Sequence, residues 1–449
     1  MFVPRQKKFT GAVLALPLLL LGLCLQSAYA AREDETYKQL DLFARVLSHV
    51  QNNYVEDVPE QQLVYGAIKG MLETLDPHTV FMPPDVFKEL KIDTSGEFGG
   101  LGIEVVKKND VITVVSPIDD TPAARAGIRA GDQILSIDDE STKGMDLARV
   151  LQKLRGPAGK KIILTIMRAG FTAPREIAVI RDHIRIVSVD GQLYEGIGYV
   201  RVKNFQERTD TYLRKELDRL RAQNRSELRG LVLDLRNNPG GLLDQAVAVS
   251  DRFLPGNLII VTTRGRDGRN TAEERSKDRD TEKPYPLVVL VNGGSASASE
   301  IVAGALQDHG RAVVMGTPTF GKGSVQTIIE LEDGSGLKLT IARYYTPKGR
   351  SIQERGILPD FVVGESASAE LAKELPRERD LRRHFKSDDA SGTVKEALTP
   401  NLPPNLKNWS ATERVSDYQL KVALNYLNGV APPKSQSGQR QVRAEPPAP

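Results

Sequence analysis

The spacing of apolar residues changes twice along this chain. From Tyr37 to Leu75 apolar positions recur every three to four residues, which predicts two amphipathic helices. From Thr94 to Asp182, short strand-like runs alternate with glycine turns around one helical stretch, Met145 to Leu154. The pattern therefore predicts a helical N-terminal region over residues 31–92 and a compact β-rich domain over residues 93–182.

Residues 183–365 alternate strand-like runs with helical patterns, which predicts an α/β core. The stretch from Arg266 to Lys283 is dense in charge of both signs and nearly free of apolar residues, so we expect a solvated loop there. Residues 366–429 form a C-terminal extension with a last helix, Ala411 to Leu427. Residues 430–449 are rich in Pro, Gln and Ser, a composition typical of a disordered tail. The strand-like runs of the core are Gly198–Val202, Gly230–Leu235, Leu258–Val261, Leu287–Val291 and Ala312–Met315.

Composition and charge narrow the function classes. The chain has 449 residues, of which 40% are apolar and 27% charged, so it can bury more than one core. Outside the first thirty residues, 58 Lys and Arg balance 58 Asp and Glu. This neutral balance lacks the overall positive charge of a nucleic-acid binder, and we expect no nucleic-acid partner.

The first thirty residues have the layout of a cleavable secretory signal. A basic start is followed by an apolar run from Ala12 to Leu25 and by the small-residue pattern Ala28-Tyr29-Ala30. The alternative is an uncleaved anchor, although the run is shorter than the ~20 residues a spanning helix needs. Cys24 is the only cysteine and lies in this run. We expect a signal peptide over residues 1–30 and a location in the periplasm or another extracytoplasmic compartment.

A glycine-rich loop opens the β-rich domain. In Gly100-Leu101-Gly102-Ile103, successive backbone N–H groups can turn toward one point and bind a terminal carboxylate. An ordinary glycine-rich β-turn has a similar sequence. The following strand, the Gly131-Asp132 turn and the helix resemble a PDZ domain, with isoleucine at the family's usual aromatic position.

The PDZ resemblance assigns a peptide-binding role to the helix that follows the loop. It implies that a substrate C-terminus lies beside Gly100, Leu101, Gly102 and Ile103. Val150, Leu151 and Leu154 would line the side-chain groove, although a helix facing a core must also bury such residues. Arg155 ends the helix, where a cation favourably meets the helix dipole. Resemblance to related bacterial proteins implies that Arg155 also helps sense bound substrate.

A cluster of serines, Ser295-Ala296-Ser297-Ala298-Ser299, follows the strand that ends at Val291. Helical periodicity begins after Ser299, so the serines lie at a helix start. Ser297 with Glu300 forms a capping box, which is a sufficient structural reason for a serine there. Free N–H groups and the positive end of the helix dipole also suit an oxyanion beside a nucleophilic hydroxyl.

Such a nucleophile needs a base, and the five histidines fall in no recognisable triad or metal motif. Lys322 is flanked by glycines and has no acid nearby in the segment 313–329. A lysine becomes a base near neutral pH only where burial depresses its pKa. An exposed surface lysine is the ordinary alternative.

The serine cluster and the segment Phe320-Gly321-Lys322-Gly323-Ser324-Val325-Gln326 together resemble the carboxy-terminal processing peptidases, or tail-specific proteases. The order of signal, helical region, PDZ domain and α/β core also matches that family. The family spacing selects Ser297 as nucleophile, Lys322 as general base and Gln326 as the residue that orients the lysine. The residues alone leave all three serines open.

The same resemblance implies further features. It implies a core of the ClpP/crotonase-like type and an oxyanion hole made by the N–H of Ala298 and that of Gly240 or Gly241. It also implies that no metal or organic cofactor is needed. The expected partners are protein substrates with apolar or unstructured C-termini, among them envelope proteins such as cell-wall hydrolases. The terminal helices would support a homo-oligomer, and an adaptor protein or movement of the PDZ domain would gate activity.

Geometry adds one expectation for the lysine segment. In a regular strand, four residues would separate Lys322 and Gln326 by about 13 Å, too far for a hydrogen bond. We therefore expect a bend at Gly321 and Gly323. A hairpin around 333–336 should follow.

Two other functions compete with proteolysis. Gly316 to Lys322 has the spacing of a phosphate-binding loop, but Gly323 stands where a Ser or Thr should bind magnesium. We therefore expect no nucleotide partner. The second rival is a PDZ-containing binding scaffold of the cell envelope that has lost catalysis, which the intact Ser297, Lys322 and Gln326 oppose.

Overall fold

The structure is a computed structural model, and the chain is divided into two compact units, residues 1–72 and 73–449. The residues it describes are 35–366, 376–388, 401–404, 406 and 409–429. The expected signal peptide and the expected disordered tail lie outside the described residues.

The first unit contains the two helices predicted from the apolar spacing. Helix α1 spans residues 35–53 and helix α2 spans Glu60–Leu72. Helix α1 keeps much of its apolar surface exposed, including Tyr37, Leu40 and Phe43. No helix among the described residues combines the length and the hydropathy that a membrane crossing requires.

The second unit opens with a short strand and a helix that lead into the β-rich domain. Strand β1 is Val80–Met82 and helix α3 is Pro84–Ser95. Helix α3 has proline in its first turn, where a missing N–H costs nothing. It ends at Gly96, which adopts a left-handed conformation (φ 66°) and donates its N–H to the carbonyl of Ile92.

The β-rich domain contains a six-stranded antiparallel sheet and a separate two-stranded one. Its strands are β2 (Glu97–Gly100), β3 (Ile103–Lys108), β4 (Val111–Pro117), β5 (Gln133–Ile137), β6 (Glu140–Ser141), β7 (Lys161–Met167), β8 (Arg175–Ile180) and β9 (Asp182–Arg185). The main sheet has the order β3-β4-β5-β7-β8, with β6 on β5, while β2 pairs with β9. Two helices, α4 (Pro122–Arg125) and α5 (Leu147–Leu154), accompany the sheet. Helix α5 begins at Asp146, whose side chain accepts a hydrogen bond from the N–H of Arg149.

Another six-stranded sheet forms the α/β core, as the alternating pattern predicts. Its strands are β10 (Val189–Tyr194), β11 (Ile197–Val202), β12 (Gly230–Asp234), β15 (Leu287–Val291), β16 (Val313–Gly316) and β19 (Phe361–Val362), in that order across the sheet. All pairs are parallel except β10 with β11. Helices α6 (Thr209–Asn224), α7 (Leu243–Asp251) and α8 (Ala298–Asp308) contribute to the larger apolar cluster. Every residue of β12 and β15 is buried, as in a parallel sheet covered on both faces.

A further sheet contains the strands that follow the Lys322 segment. Its strands are β13 (Ile259–Gly265), β14 (Ala272–Arg275), β17 (Ser324–Glu330) and β18 (Gly336–Tyr345). The order is β1-β18-β13-β14, and β17 forms the expected hairpin with β18. The expected bend is present, because Gly321 has φ 95° and the ladder is irregular at Val325 and Gln326.

Two sequence expectations need correction. The stretch from Arg266 to Lys283 is not wholly a loop, because it contains strand β14, which pairs with β13. The last helix, α9, is Tyr418–Gly429 and starts later than the expected Ala411. Asp417 explains this start, since its carboxylate accepts a hydrogen bond from the N–H of Leu420 at 3.0 Å.

Helix α9 packs on the core sheet of its own chain. Its buried residues Leu420, Ala423 and Leu424 join Val232 and Val288 of the sheet in one apolar cluster. The apolar side chains of α9 therefore complete the core.

Candidate active site

Ser297 ends the loop that joins β15 to α8, and its backbone is strained. It has φ 53° and ψ −111°, a region that a residue with a Cβ rarely adopts. Such a conformation costs about 1–3 kcal/mol and is found mainly where function requires it. A serine on a sharp strand-to-helix turn is also the arrangement of many hydrolytic nucleophiles.

The hydrogen bonds of the three clustered serines differ. Ser295 donates its hydroxyl to the carbonyl of Leu235 at 2.7 Å, and Ser299 donates to the carbonyl of Asn238 at 2.9 Å. Both serines are fully buried. The Ser297 hydroxyl donates to none of the described residues and keeps 9% exposure. Ser295 and Ser299 thus have structural roles, and Ser297 is the one whose hydroxyl is available.

Glu300 holds the serine segment and the lysine segment together. Its Oε2 accepts hydrogen bonds from the backbone N–H of Ser297 (2.7 Å) and that of Lys322 (2.9 Å). Its Oε1 accepts from the Thr319 hydroxyl (2.5 Å) and from the N–H of Gly321 (2.7 Å). Complete burial raises the pKa of Glu300 to about 7, against the opposing effect of these four donors.

The Lys322 ammonium lies in a desolvated position, as the sequence hypothesis requires. The described residues give it no hydrogen bond and no ion pair. Burial, together with the positive charge of Lys338, lowers the pKa of Lys322 to about 8. The carboxylates of Glu378, Glu300 and Asp76 act in the opposite direction. About one amine in ten is therefore neutral at pH 7.

Gln326 belongs to a polar network beside the lysine. Its amide donates to the Ser324 hydroxyl at 2.8 Å and to the Thr340 hydroxyl at 3.3 Å. Thr340 in turn donates to Asp76 at 3.1 Å, and Asp76 accepts a 2.5 Å bond from Thr79. The structure does not bond the Gln326 amide to the Lys322 amine, so the orienting role of Gln326 stays a prediction.

A second buried acid near the lysine was missed by the sequence reasoning. Glu378 is fully buried, lies 2.7 Å from the His78 ring nitrogen Nε2 and accepts a hydrogen bond from Gln353 at 3.0 Å. Gln353 also accepts the N–H of Gly323 at 3.0 Å, next to the lysine. His78 lies in a turn, 300 residues before Glu378 in the sequence. No local sequence pattern could have connected the two.

The backbone donors predicted for an oxyanion are those of Ala298 and of Gly240 or Gly241. Ala298 is the first residue of α8, so its N–H has no partner within the helix. A Cβ built on Gly240 would lie 2.9 Å from Ser297 Cβ and 3.0 Å from the Ala298 nitrogen. The N–H of Gly240 donates to the side chain of Asn238 at 2.9 Å, whereas that of Gly241 has no acceptor among the described residues. Gly240 is thus the nearer glycine and Gly241 the one with the free donor.

The predicted carboxylate-binding loop connects β2 to β3. Gly100 ends β2 and Ile103 begins β3, and Leu101 is buried between them. Gly102 has φ 76°, and a Cβ there would lie 2.4 Å from the side chain of Thr121. No described residue accepts the N–H of Leu101 or of Gly102. These free donors are what a terminal carboxylate requires, and the binding role stays a prediction.

The helix residues predicted for the peptide groove divide into two groups. Val150 and Leu154 are buried in the core of the β-rich domain, while Leu151 is only partly buried. Arg155 is ion-paired with Glu89 of α3 and lies 5.0 Å from the centre of the Phe98 ring. Leu151 therefore has the surface that a groove needs. Substrate sensing by Arg155 would require the ion pair to open.

Matches to known families agree with this architecture. Residues 196–363 match peptidase family S41, and residues 113–168 match the PDZ domain. Residues 24–86 match the N-terminal domain of the activating protease CtpB. In the part of the chain that the structure describes, no group of His, Cys, Asp and Glu side chains could hold a metal ion. The fold and the S41 match define a serine-type peptidase that carries a PDZ domain.

Individual relatives narrow this class. A carboxy-terminal-processing protease of Bartonella bacilliformis is 44% identical over 93% of this chain and 94% of its own length. The carboxy-terminal processing protease CtpA of Bacillus subtilis is 35% identical over 80% of this chain and 75% of its own. The chain belongs to the carboxy-terminal processing protease family. Among solved structures, a photosystem II D1 C-terminal processing protease is 32% identical, covers 72% of this chain and 92% of its own, and superposes with a TM-score of 0.42.

Proposed function

We propose that this protease cleaves unstructured polypeptides by a Ser-Lys mechanism after its PDZ domain has bound their C-termini. The observation that carries the proposal is the shared Glu300 oxygen, which fixes the backbones of Ser297 and Lys322 around one atom. A lysine pKa of about 8 gives this pair a usable base.

The mechanism assigns one role to each group. Neutral Lys322 takes the proton of the Ser297 hydroxyl, and the alkoxide attacks the peptide carbonyl carbon. The N–H of Ala298 and that of Gly240 or Gly241 bind the oxyanion, where Gly240 must first release Asn238. The Lys322 ammonium then returns the proton to the leaving amine, and a water molecule activated by the same lysine hydrolyses the acyl-enzyme. Gln326 keeps the lysine directed at the serine.

The wider setting is proposed on separate grounds. The layout of residues 1–30 supports export to the periplasm or another extracytoplasmic compartment, where envelope proteins such as cell-wall hydrolases would be substrates. The exposed apolar residues of α1 support a homo-oligomer. An adaptor protein that brings substrates and gates activity fits the same family pattern.

Degradation of a tagged unfolded protein tests the mechanism. The chain without residues 1–30 should degrade it, while Ser297→Ala and Lys322→Ala should lose at least about 10³-fold in kcat/KM. Lys215→Ala, on the exposed face of α6, serves as the matched lysine control and should keep full activity. Full activity in either site variant would refute the mechanism. Tight binding of the substrate without cleavage by any form would favour the binding scaffold.

A further inference from the structure

A large cleft on the sheet that contains β13 and β18 is not used by the mechanism. It has a volume of about 720 Å³ and lies between strand β13, the turn after it, and residues 339–345 of β18. Thr340 lines this cleft and also accepts the hydrogen bond of the Gln326 amide. The cleft is therefore one side chain away from the proposed site.

The cleft opens on an unpaired length of sheet edge. Strand β1 pairs with Gly336–Lys338 of β18, and β13 pairs with Ala342–Tyr345 on the same edge. Residues 339–341 between them have no strand partner on that edge within the described parts of the chain. Thr340 instead donates its N–H to the hydroxyl of Thr79 at 3.2 Å. The gap is too short for a further strand, so a substrate segment can only pass over it on the side of the cleft.

The lining of the cleft is strongly positive. Among the described residues the lining contains four arginines, Arg264, Arg266, Arg269 and Arg343, and one carboxylate, that of Asp388. Arg269 also pairs with Asp267, outside the lining. Arg264 and Arg343 are directly opposite each other on β13 and β18, an arrangement that is unfavourable for like charges. Asp388 neutralises Arg343, whereas Arg264 and Arg266 have no ion pair among the described residues.

Aromatic rings hold two of these guanidinium groups in place. Arg264 lies 4.4 Å from the centre of the Tyr345 ring, and Arg343 lies 5.4 Å from that of Phe385. Stacking leaves the edges of a guanidinium group free to donate, which suits a carboxylate. The cleft thus offers oriented donors with a net positive charge.

We propose that this cleft is a specificity subsite for acidic residues of the polypeptide substrate. The inference rests on the proposed proteolytic function. A substrate segment that enters the cleft beside residues 339–341 places an Asp or Glu side chain over Arg264 and Arg266. This subsite would select among unstructured chains that share an acceptable C-terminus.

Paired peptides test the subsite. The reference peptide is unstructured, has an apolar C-terminus and carries glutamine on both sides of its cleavage site. Each of the other peptides replaces one of these glutamines with glutamate. We expect the best glutamate peptide to be cleaved with a kcat/KM about tenfold higher at low salt, the size of a charge-assisted hydrogen bond. This ratio should fall as salt is added.

Variants assign the preference to the cleft. Arg264→Gln and Arg266→Gln should bring the ratio toward one, and Arg264→Glu should instead favour a lysine-bearing peptide. Arg275→Gln is the matched control, because Arg275 lies on β14 outside the cleft and pairs with Glu273. If Arg264 variants fail to fold, Arg266→Gln on the exposed turn decides the question.

The outcomes separate this proposal from the proteolytic one. If the wild-type protein cleaves the glutamine and glutamate peptides equally fast, the subsite is refuted and the proposed proteolytic function still stands. If no peptide is cleaved, the proposed function fails. The subsite is then tested by the binding of the same peptides to the Ser297→Ala variant, measured by fluorescence anisotropy. Tighter binding of the glutamate peptide than of the glutamine peptide would support the subsite if adding Arg264→Gln to this variant abolishes the difference. Equal binding of the two peptides would refute the subsite.

Discussion

The pH dependence of cleavage should report the protonation of Lys322. With a pKa of about 8, about one amine in ten is neutral at pH 7, against about one in 3000 for an ordinary lysine. Only the neutral amine can accept the serine proton. We therefore expect kcat/KM to level off above pH 8 and to fall about tenfold for each pH unit below it. Below pH 7 the fall should steepen, since Glu300 also becomes protonated.

Two neighbouring charges allow the sign of this effect to be tested. Lys338 lowers the pKa of Lys322, so Lys338→Met should move the acid limb of the profile to higher pH. Glu378 raises the same pKa, so Glu378→Gln should move the limb to lower pH. Glutamine keeps an acceptor for Gln353, which limits the structural disturbance. Opposite shifts from two substitutions are not expected from a general loss of stability.

The assay is the initial rate of cleavage of a quenched fluorescent peptide between pH 6 and pH 10. Circular dichroism at each pH shows whether the fold is kept, and Lys215→Met on the surface of α6 controls for loss of a lysine. A profile that is flat from pH 6 to pH 8 would refute the lysine as the base. Shifts of both charge variants in the same direction would refute the electrostatic explanation.

Three further substitutions test the supports of the site. Glu300→Gln should lower kcat by at least about tenfold. It should also lower the free energy of unfolding, measured by urea unfolding, by about 2–6 kcal/mol. The reason is that two of the four groups that donate to Glu300 lose their acceptor. Gly240→Ala should abolish cleavage, since its Cβ would lie 2.9 Å from Ser297 Cβ. Gly310→Ala is the control and should keep cleavage, because Gly310 also has a positive φ (63°) but has open space around it. Ser297→Gly should be more stable than Ser297→Ala by about 1 kcal/mol in the same urea assay, because glycine adopts a positive φ without strain. Equal stabilities of the two variants would show that this residue carries no strain.

Residues close together in the sequence were predictable, and contacts between distant segments were not. The helix start at Ser297 and the hairpin after Lys322 follow from local periodicity and glycine placement. The pairing of Ser297 with Glu300 was visible as a capping box. The bond from the same carboxylate to Lys322 depends on how two loops meet in the folded chain.

The acids around Lys322 are a second example of contacts between distant segments that the sequence did not predict. The segment beside the lysine contains none, which favoured a desolvated amine, yet the fold brings Asp76 and Glu378 into electrostatic range. Both come from segments far away in the sequence. The preference for Ser297 over Ser295 and Ser299 likewise came from family spacing. The physical difference, two hydroxyls donated to carbonyls and one left free, needed the structure.

A base made by burial should destabilise the protein that contains it. The pKa of Lys322 falls from 10.5 to about 8 on folding, and each pH unit is worth about 1.4 kcal/mol, so the buried amine costs about 3 kcal/mol below pH 8. This cost disappears as the pH rises from 8 to 10.5, where the unfolded chain also loses the proton. Lys322→Met should therefore be inactive but more stable than the wild type at pH 7, and this difference in free energy of unfolding should shrink by pH 10. Equal urea midpoints at pH 7 would mean that the amine is not desolvated, and the proposed base would lose its physical foundation.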